Sequence, residues 1–538
     1  LVALTTILLA LPASLFVADR RLVGGKKVLI AVPDDDRLVG TYCGGSTSGG
    51  VVVLEGFGSD QTAMRAPASA FCRMGAHVLT LDFSGHGRSP GALGFDNAAT
   101  DRLARQTIAA INVLREEAGI ETTDVVLWGH SMGARVGLQA ATMLEHDLAG
   151  LVLVGAQVNL STNVQSEFFT GVQDSNLEWV RSLGPGNPTT DILLISGEWD
   201  DILKPDAARL LLGVLAGDPA SDEGVVYGEA GATRELALVP ALVHNYEVFS
   251  PRVLDRAVSW ASQRWASGAT RVAVGYWRVA AWVANIVALF AFVRVGTRCA
   301  NRRSADARAT PAELRVVHLW RFILVKLALW LGALPVAGLL GAPFFVLPYG
   351  LPAFNLIYVG FIGSYGLIHW LLYATGRMPG TTGRLGVRAG QREHAADSGW
   401  FAGLLVGALL LALTALCAGT GLFTVPPLGA RLLWLGVFTP VTAVGFWAGD
   451  QEVRMPGAPA WAITLVNLAP FFLWTLFQLG LGSLSGVVTS AHGLLILALA
   501  ILAGRLIRVL SGRPWLAAFV QASLLYWLIL PQGVLFSL

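Results

Sequence analysis

The chain is 538 residues long, 54% hydrophobic and only 14% charged, with 38 basic against 36 acidic residues. Soluble domains carry about 25% charged residues, so this deficit excludes an ordinary soluble protein, and the near-zero net charge argues against a polyanionic partner such as nucleic acid. The deficit is uneven: residues 20–270 read as a soluble mixed domain, and residues 272–538 are mostly long apolar runs.

In chain order, Leu1–Ala18 is an apolar run, followed by a basic cluster at Arg20, Arg21, Lys26 and Lys27. It reads as a retained membrane anchor in preference to a signal peptide, because no small-x-small cleavage site precedes Asp19. Short apolar runs then predict strands near 27–32, 38–43, 51–55, 77–82, 124–128, 150–155, 191–196 and 234–239. Amphipathic helices are predicted near 60–74, 97–118, 131–145, 204–216 and 251–266. The alternation implies a mainly parallel eight-stranded sheet covered on both faces, the first two strands forming an antiparallel edge hairpin. Ligands then bind beyond the carboxyl ends of the strands. About 35 residues between the sixth and seventh strands form a small cap, in which Phe168, Phe169, Leu177 and Trp179 either face an acyl group or pack the cap down.

The most telling segment is Val125–Ala134, VVLWGHSMGA, where a strand runs straight into Gly129-His130-Ser131-Met132-Gly133. In G-x-S-x-G the serine occupies a strained strand-to-helix turn, so its neighbours two positions away must be small. The following helix aims its first N–H groups at the place where an oxyanion forms. Upstream lie VVVLEGFGSD (Val51–Asp60) and HVLTLDFSGHGRSPG (His77–Gly91); downstream lie DILLISGEWDD (Asp191–Asp201) and VPALVHNYEVFSP (Val239–Pro251). The order serine, acid, histidine along the chain is that of the α/β-hydrolase fold.

Residues from about 25 to 267 resemble an α/β-hydrolase domain. The GHSMG elbow and the LDFSGHGRSPG segment are most similar to the monoglyceride lipase and serine aminopeptidase-like branch. The resemblance implies Ser131 as nucleophile, His244 as general base and Asp200, matching G-x-x-D at Gly197–Asp200, as the acid that orients it. Asp201 is expected to cap the next helix. His86, His130, Asp60 and Asp82 are expected to be structural. The oxyanion donors are expected to be the N–H groups of Met132 and of Phe57 in Glu55-Gly56-Phe57-Gly58. Glu55 departs from the histidine more usual there. No cofactor or metal is implied. Cys43 and Cys72 both lie in this domain and pair if it faces an oxidising compartment; two buried thiols are the equal alternative.

Beyond 272, spans are predicted at roughly 272–296, 317–341, 345–375, 400–424, 430–448, 460–481, 486–504 and 515–534, each near the ~20 residues that cross a bilayer core. Arginines alternate between the loops: Arg294, Arg298, Arg302, Arg303, Arg308 and Arg315, then Arg377, Arg384, Arg388 and Arg392, then Arg454, then Arg505, Arg508 and Arg513, with Arg431 the exception on the other side. By the positive-inside rule the basic loops are cytoplasmic and the α/β domain lies outside. No span is expected to carry a buried acid, and Lys326 is expected to reach a cytoplasmic surface. Pro335, Pro343, Pro348 and Pro352 suggest kinked helices and a cavity facing the α/β domain.

The expected architecture is therefore an anchor (1–18), an extracytoplasmic α/β-hydrolase domain (19–267) and about eight transmembrane helices (272–538) in the plasma or inner membrane. The expected activity is cleavage of a lipidic or envelope ester through an acyl-enzyme, the partners being a small-molecule or lipid ester and the bilayer. Two alternatives stand beside it: an acyltransferase using the same acyl-enzyme, and a transporter or scaffold whose hydrolase-like domain only binds. Peptidase activity fits the branch resembled, yet nothing in the sequence supplies a pocket for an N-terminal amine.

Overall fold

The computed structural model describes residues 2–33, 37–94, 98–144, 146–156, 179–180, 182–265, 274–303, 314–341, 351–352, 355–383, 427–532 and 534–536. The expected span at 400–424, the cap residues Phe168, Phe169 and Leu177, Pro343, Pro348 and the loop arginines Arg308, Arg384, Arg388 and Arg392 lie outside them.

After helix α1 (Val2–Ala18) comes a nine-stranded sheet. Its strands are β1 (Lys26–Ile30), β2 (Leu38–Cys43), β3 (Gly50–Leu54), β4 (His77–Leu81), β5 (Val125–His130), β6 (Gly150–Val154), β7 (Ile192–Gly197), β8 (Val226–Tyr227) and β9 (Arg234–Val239). The spatial order is β1-β2-β4-β3-β5-β6-β7-β9-β8. From β4 to β9 all neighbours are parallel; β1–β2 and β2–β4 are antiparallel. The ninth strand, β8, corrects the expected eight: its two residues pair antiparallel with β9 and are too few to leave an apolar pattern.

Alternation along the strands explains the two cores. Val52, Leu54 and Leu127 point to the face covered by α3 (Ala98–Ala118), α4 (Met132–Met143) and α5 (Pro205–Ala216). Val51, Val53, Val126 and Trp128 point to the face covered by α2 (Arg65–Met74) and α6 (Pro251–Ser262). Strands buried on both faces need continuous apolar runs, which is what these sequences are. Cys43, ending β2, and Cys72, in α2, are joined by a disulfide with Cα atoms 6.3 Å apart.

Among the described residues, the main helices of the second half are α7 (Val274–Arg303), α8 (Leu319–Gly341), α9 (Tyr365–Ala374), α10 (Ala430–Glu452), α11 (Ala460–Gly480), α12 (Leu484–Ser511) and α13 (Pro514–Ile529). A π-helical stretch, Val359–Ser364, leads into α9. Three of these, α10, α11 and α12, are long and apolar enough to cross a membrane, by length and composition. The two halves are tied at Asp19, which accepts hydrogen bonds from Ser69 Oγ (2.7 Å) and from Arg278 of α7 (2.5 Å).

Two expectations about this half are corrected. A buried acid is present: Glu452 accepts from Tyr373 (2.7 Å), faces His369 Nδ1 at 2.7 Å and pairs with Lys326, which also donates to Asn467. Hydropathy ends the apolar run near Ala448, but α10 continues to Glu452. Lys326 is fully buried, satisfied by that carboxylate, and does not reach a surface. A cavity of about 120 Å³, lined among others by Trp330, Phe361, Tyr365, Asn467 and Phe471, sits toward the Glu452 end of α10. The α/β domain meets the other end of that helix, at Arg431.

Candidate active site

The turn from β5 into α4 holds Ser131 at φ +55°, ψ −116°, a conformation L-residues rarely adopt. The flanking glycines are required by space. A Cβ at Gly129 would lie 2.5 Å from the carbonyl oxygen of Gly133, and one at Gly133 would lie 2.5 Å from that of Glu55. Ser131 N–H donates to Val154 O (2.8 Å), which pins the turn to β6. The side chain therefore stands above the sheet at the carboxyl ends of the strands, with Met132 opening α4 beside it.

His244 follows β9 and opens a short 3₁₀ helix, His244–Phe249. Its Nε2 lies 2.9 Å from Ser131 Oγ and its Nδ1 lies 2.7 Å from Asp200 Oδ2. Asp200 is fixed in turn, because its Oδ1 accepts from Ile202 N–H (3.0 Å) and Leu203 N–H (2.8 Å). With Nδ1–H donated to the carboxylate, Nε2 is left to accept from the serine hydroxyl. Burial lowers the pKa of His244, but the charge of Asp200, the hydrogen bond to it and the charge of Glu247 prevail and hold it at about 9.

Asp201 does not cap the following helix. That helix begins at Pro205, after Lys204, with no side-chain cap. Asp201 Oδ1 instead accepts from the N–H (2.9 Å) and Oγ (2.5 Å) of Ser485, at the start of α12. Asn245, next to His244, donates to Thr489 of the same helix (2.8 Å).

Asp60 caps Thr62 and Ala63, and Asp82 accepts from Gln61 and Arg88. Burial pushes His86 to about 4 and, with the nearby His244, His130 to about 3, so both rings are neutral at pH 7. Phe57 lies in the loop after β3, its ring centroid 5.7 Å from that of Phe536. Glu55 is fully buried and accepts from Phe83 N–H (2.8 Å); burial and the neighbouring Asp82 raise its pKa well above the carboxylate range. Trp179 packs against the core and over the guanidinium of Arg135 (5.4 Å), which favours the packing role for that cap residue.

One residue was not anticipated. Glu247 is fully buried, 3.6 Å from His244 Nδ1 and 3.4 Å from His130 Nε2, and accepts from Gly197 N–H (2.6 Å). Burial, only partly offset by His244, raises its pKa to about 8. Its place three residues after His244, one 3₁₀ turn on, was the available signal. His130, His244 and Glu247 are also near enough to one another to hold a metal ion. However, His244 Nδ1 is already engaged by Asp200, so the donor set does not favour one.

The family model "Serine aminopeptidase, S33" matches residues 45–188, which span β3 to the segment before β7 and include the elbow. The N-terminal half is an α/β-hydrolase domain. The match supports a hydrolase activity for this domain. The hydrolase domain is similar to the esterase Pf2001 of Pyrococcus furiosus (19% identity, 45% of this chain and 92% of that one, TM-score 0.34). It is also similar to a monoacylglycerol lipase of Paleococcus ferrophilus (16%, 42% and 99%, TM-score 0.33) and to a soluble variant of a Saccharomyces cerevisiae monoglyceride lipase (15%, 45% and 97%, TM-score 0.32). No curated protein matches the sequence.

Proposed function

We propose that this chain is a membrane-anchored serine hydrolase that cleaves a carboxylic ester of a lipid or envelope component through an acyl-enzyme. The observation that carries the reading is the hydrogen-bonded line Ser131 Oγ, His244, Asp200, at 2.9 and 2.7 Å, on the strained elbow.

The chemistry follows from that line. Ser131 Oγ attacks the ester carbonyl carbon as its proton passes to His244 Nε2. The carbonyl oxygen becomes an oxyanion facing the N–H groups of Met132 and Phe57. The tetrahedral adduct collapses, His244 returns the proton to the departing alkoxide, and an alcohol leaves. Water then gives a proton to His244 as its oxygen attacks the acyl carbon. Collapse releases the carboxylic acid and Ser131 regains its proton. Asp200 keeps the imidazole in the required tautomer and stabilises the imidazolium.

Three observations support the setting. The helices α10, α11 and α12 have the length and apolarity of membrane spans. The Cys43–Cys72 disulfide suits an oxidising compartment, consistent with an α/β domain outside the cytoplasm. The basic loops of the helical half fall on alternate connections. The expected topology is an anchor at 1–18, an extracytoplasmic domain at 19–267 and a multi-pass domain at 272–538.

Labelling of intact cells with a membrane-impermeant fluorophosphonate, wild type against Ser131→Ala, tests this. Labelling of the wild type alone is expected. Labelling only after lysis would overturn the topology, and none in either state would overturn the activated serine.

A further inference from the structure

The oxyanion side of the site is held from outside the hydrolase domain. Glu55, Asp60 and Asp82 are all buried around the loops after β3 and β4. Glu55 accepts from Phe83 N–H, and Asp82 accepts from Gln61 N–H and Arg88 N–H, so residues 55–62 and 82–91 form one hydrogen-bonded unit. Into it reaches Arg431, the second residue of α10, itself 2% exposed. Its two terminal nitrogens donate to Gly87 O (2.9 Å) and Gly85 O (2.8 Å). Its charge acts on Asp60, Asp82 and Glu55 together. The other cations facing the cluster are Arg88 and Lys27 beside Asp82, and Arg65 beside Asp60.

A second strut from the helical half lands on the same turn. Leu535 N–H donates to Gly85 O (3.0 Å), Leu93 N–H donates to Leu535 O (2.8 Å), and the ring of Phe536 packs on Phe57.

We propose that Arg431 is a positioning residue of the active site: from the helical half it fixes the 82–91 turn and, through Glu55, the loop that presents the Phe57 N–H. The proposal rests on reading Ser131 and His244 as nucleophile and base. Two physical reasons make the role more than scaffolding. An oxyanion donor works only within hydrogen-bond distance of the charge as it develops, and a displacement of ~1 Å costs ~10²-fold. Negative charge on the buried Asp60 and Asp82 behind the donor loop opposes an oxyanion, and the buried guanidinium that acts on both offsets it in a medium where charges are weakly screened. Lysine can supply the charge but cannot span both carbonyls.

The test uses the full chain in lipid nanodiscs with a p-nitrophenyl acyl ester as substrate and an alkyl boronic acid, which forms a tetrahedral adduct on the serine, as the oxyanion probe. In Arg431→Gln, kcat is expected to fall about 10–100-fold with KM within about twofold, and boronate affinity to weaken in parallel. Arg431→Lys is expected to fall between. A purely structural role predicts instead a loss that tracks the folded fraction, with unchanged boronate affinity in the folded protein, and that result overturns the proposal. So does wild-type kcat in folded Arg431→Gln. Should that variant not fold, Arg431→Lys carries the test: wild-type kcat and boronate affinity in it overturn the proposal, and weakening of both supports it. Ser131→Ala, assayed alongside, reports on the serine reading separately, since activity surviving there sinks that reading whatever Arg431 does.

Discussion

His244 faces two carboxylates, and removing one tests how they share the work. Asp200 Oδ2 lies 2.7 Å from Nδ1 and Glu247 Oε2 lies 3.6 Å from it. At 3.6 Å Glu247 makes no hydrogen bond, but Coulomb attraction falls only as 1/r, so an ionised Glu247 retains about three-quarters of the attraction that Asp200 exerts on the imidazolium. Removing Asp200 also removes a charge that raises the pKa of Glu247, so Glu247 ionises more readily in that variant. Loss of the triad acid typically costs ~3 × 10⁴ in kcat where no second carboxylate is near. Asp200→Ala is therefore expected to lose only ~10²–10³, and Asp200→Ala/Glu247→Gln ~10⁴–10⁵, while Glu247→Gln alone loses less than about tenfold. Steady-state ester hydrolysis at pH 9, with thermal unfolding to confirm folded protein, measures this cycle. Equal losses in Asp200→Ala and the double variant would refute the reasoning and make Glu247 a bystander.

The remaining expectations are direct. Only neutral His244 accepts the serine proton, so kcat/KM should rise with pH to a plateau above about 9, and Glu247→Gln should move that rise to lower pH by removing a charge that favours the imidazolium. Asp60, Glu247 and His244 titrate in the folded state at about 7, 8 and 9, all above their ordinary values. The folded chain thus holds more protons than the unfolded one between pH 7 and 9, stability falls as pH rises, and the melting temperature of the hydrolase domain should be lower at pH 9 than at pH 7. Replacing Cys72 by Ser opens a loop closed across 29 residues and should destabilise the domain by about 3–4 kcal/mol, read as a lower denaturation midpoint. Gly133→Ala, whose Cβ would meet the Glu55 carbonyl, should abolish fluorophosphonate labelling in the protein that still folds.

The parts legible in the sequence were those written locally. The strands read clearly because a buried parallel strand is a continuous apolar run, and Ser131 read clearly because its strain demands Gly129 and Gly133. Asp200 was legible from its distance past Gly197, but Asp201 was not, because its partner Ser485 belongs to another half of the chain. Glu452 escaped for the same reason: a carboxylate at a helix end looks solvated until Lys326, His369 and Tyr373 are seen to converge on it. Arg431 read as an exception to a loop-charge pattern, and only the fold shows it buried against Gly85 and Gly87. β8 was too short to carry any periodicity.

Val534 and Phe536 are members of the same apolar core as Val52, Leu54 and Leu127. During synthesis the sheet, the elbow, Asp200 and His244 are all made before α7 begins, yet a piece of the same core emerges only after α13. Domains fold as they leave the ribosome, N-terminal first. The Phe57 loop therefore gains its contact with Phe536 only after α13 has been made, late relative to the sheet that carries that loop.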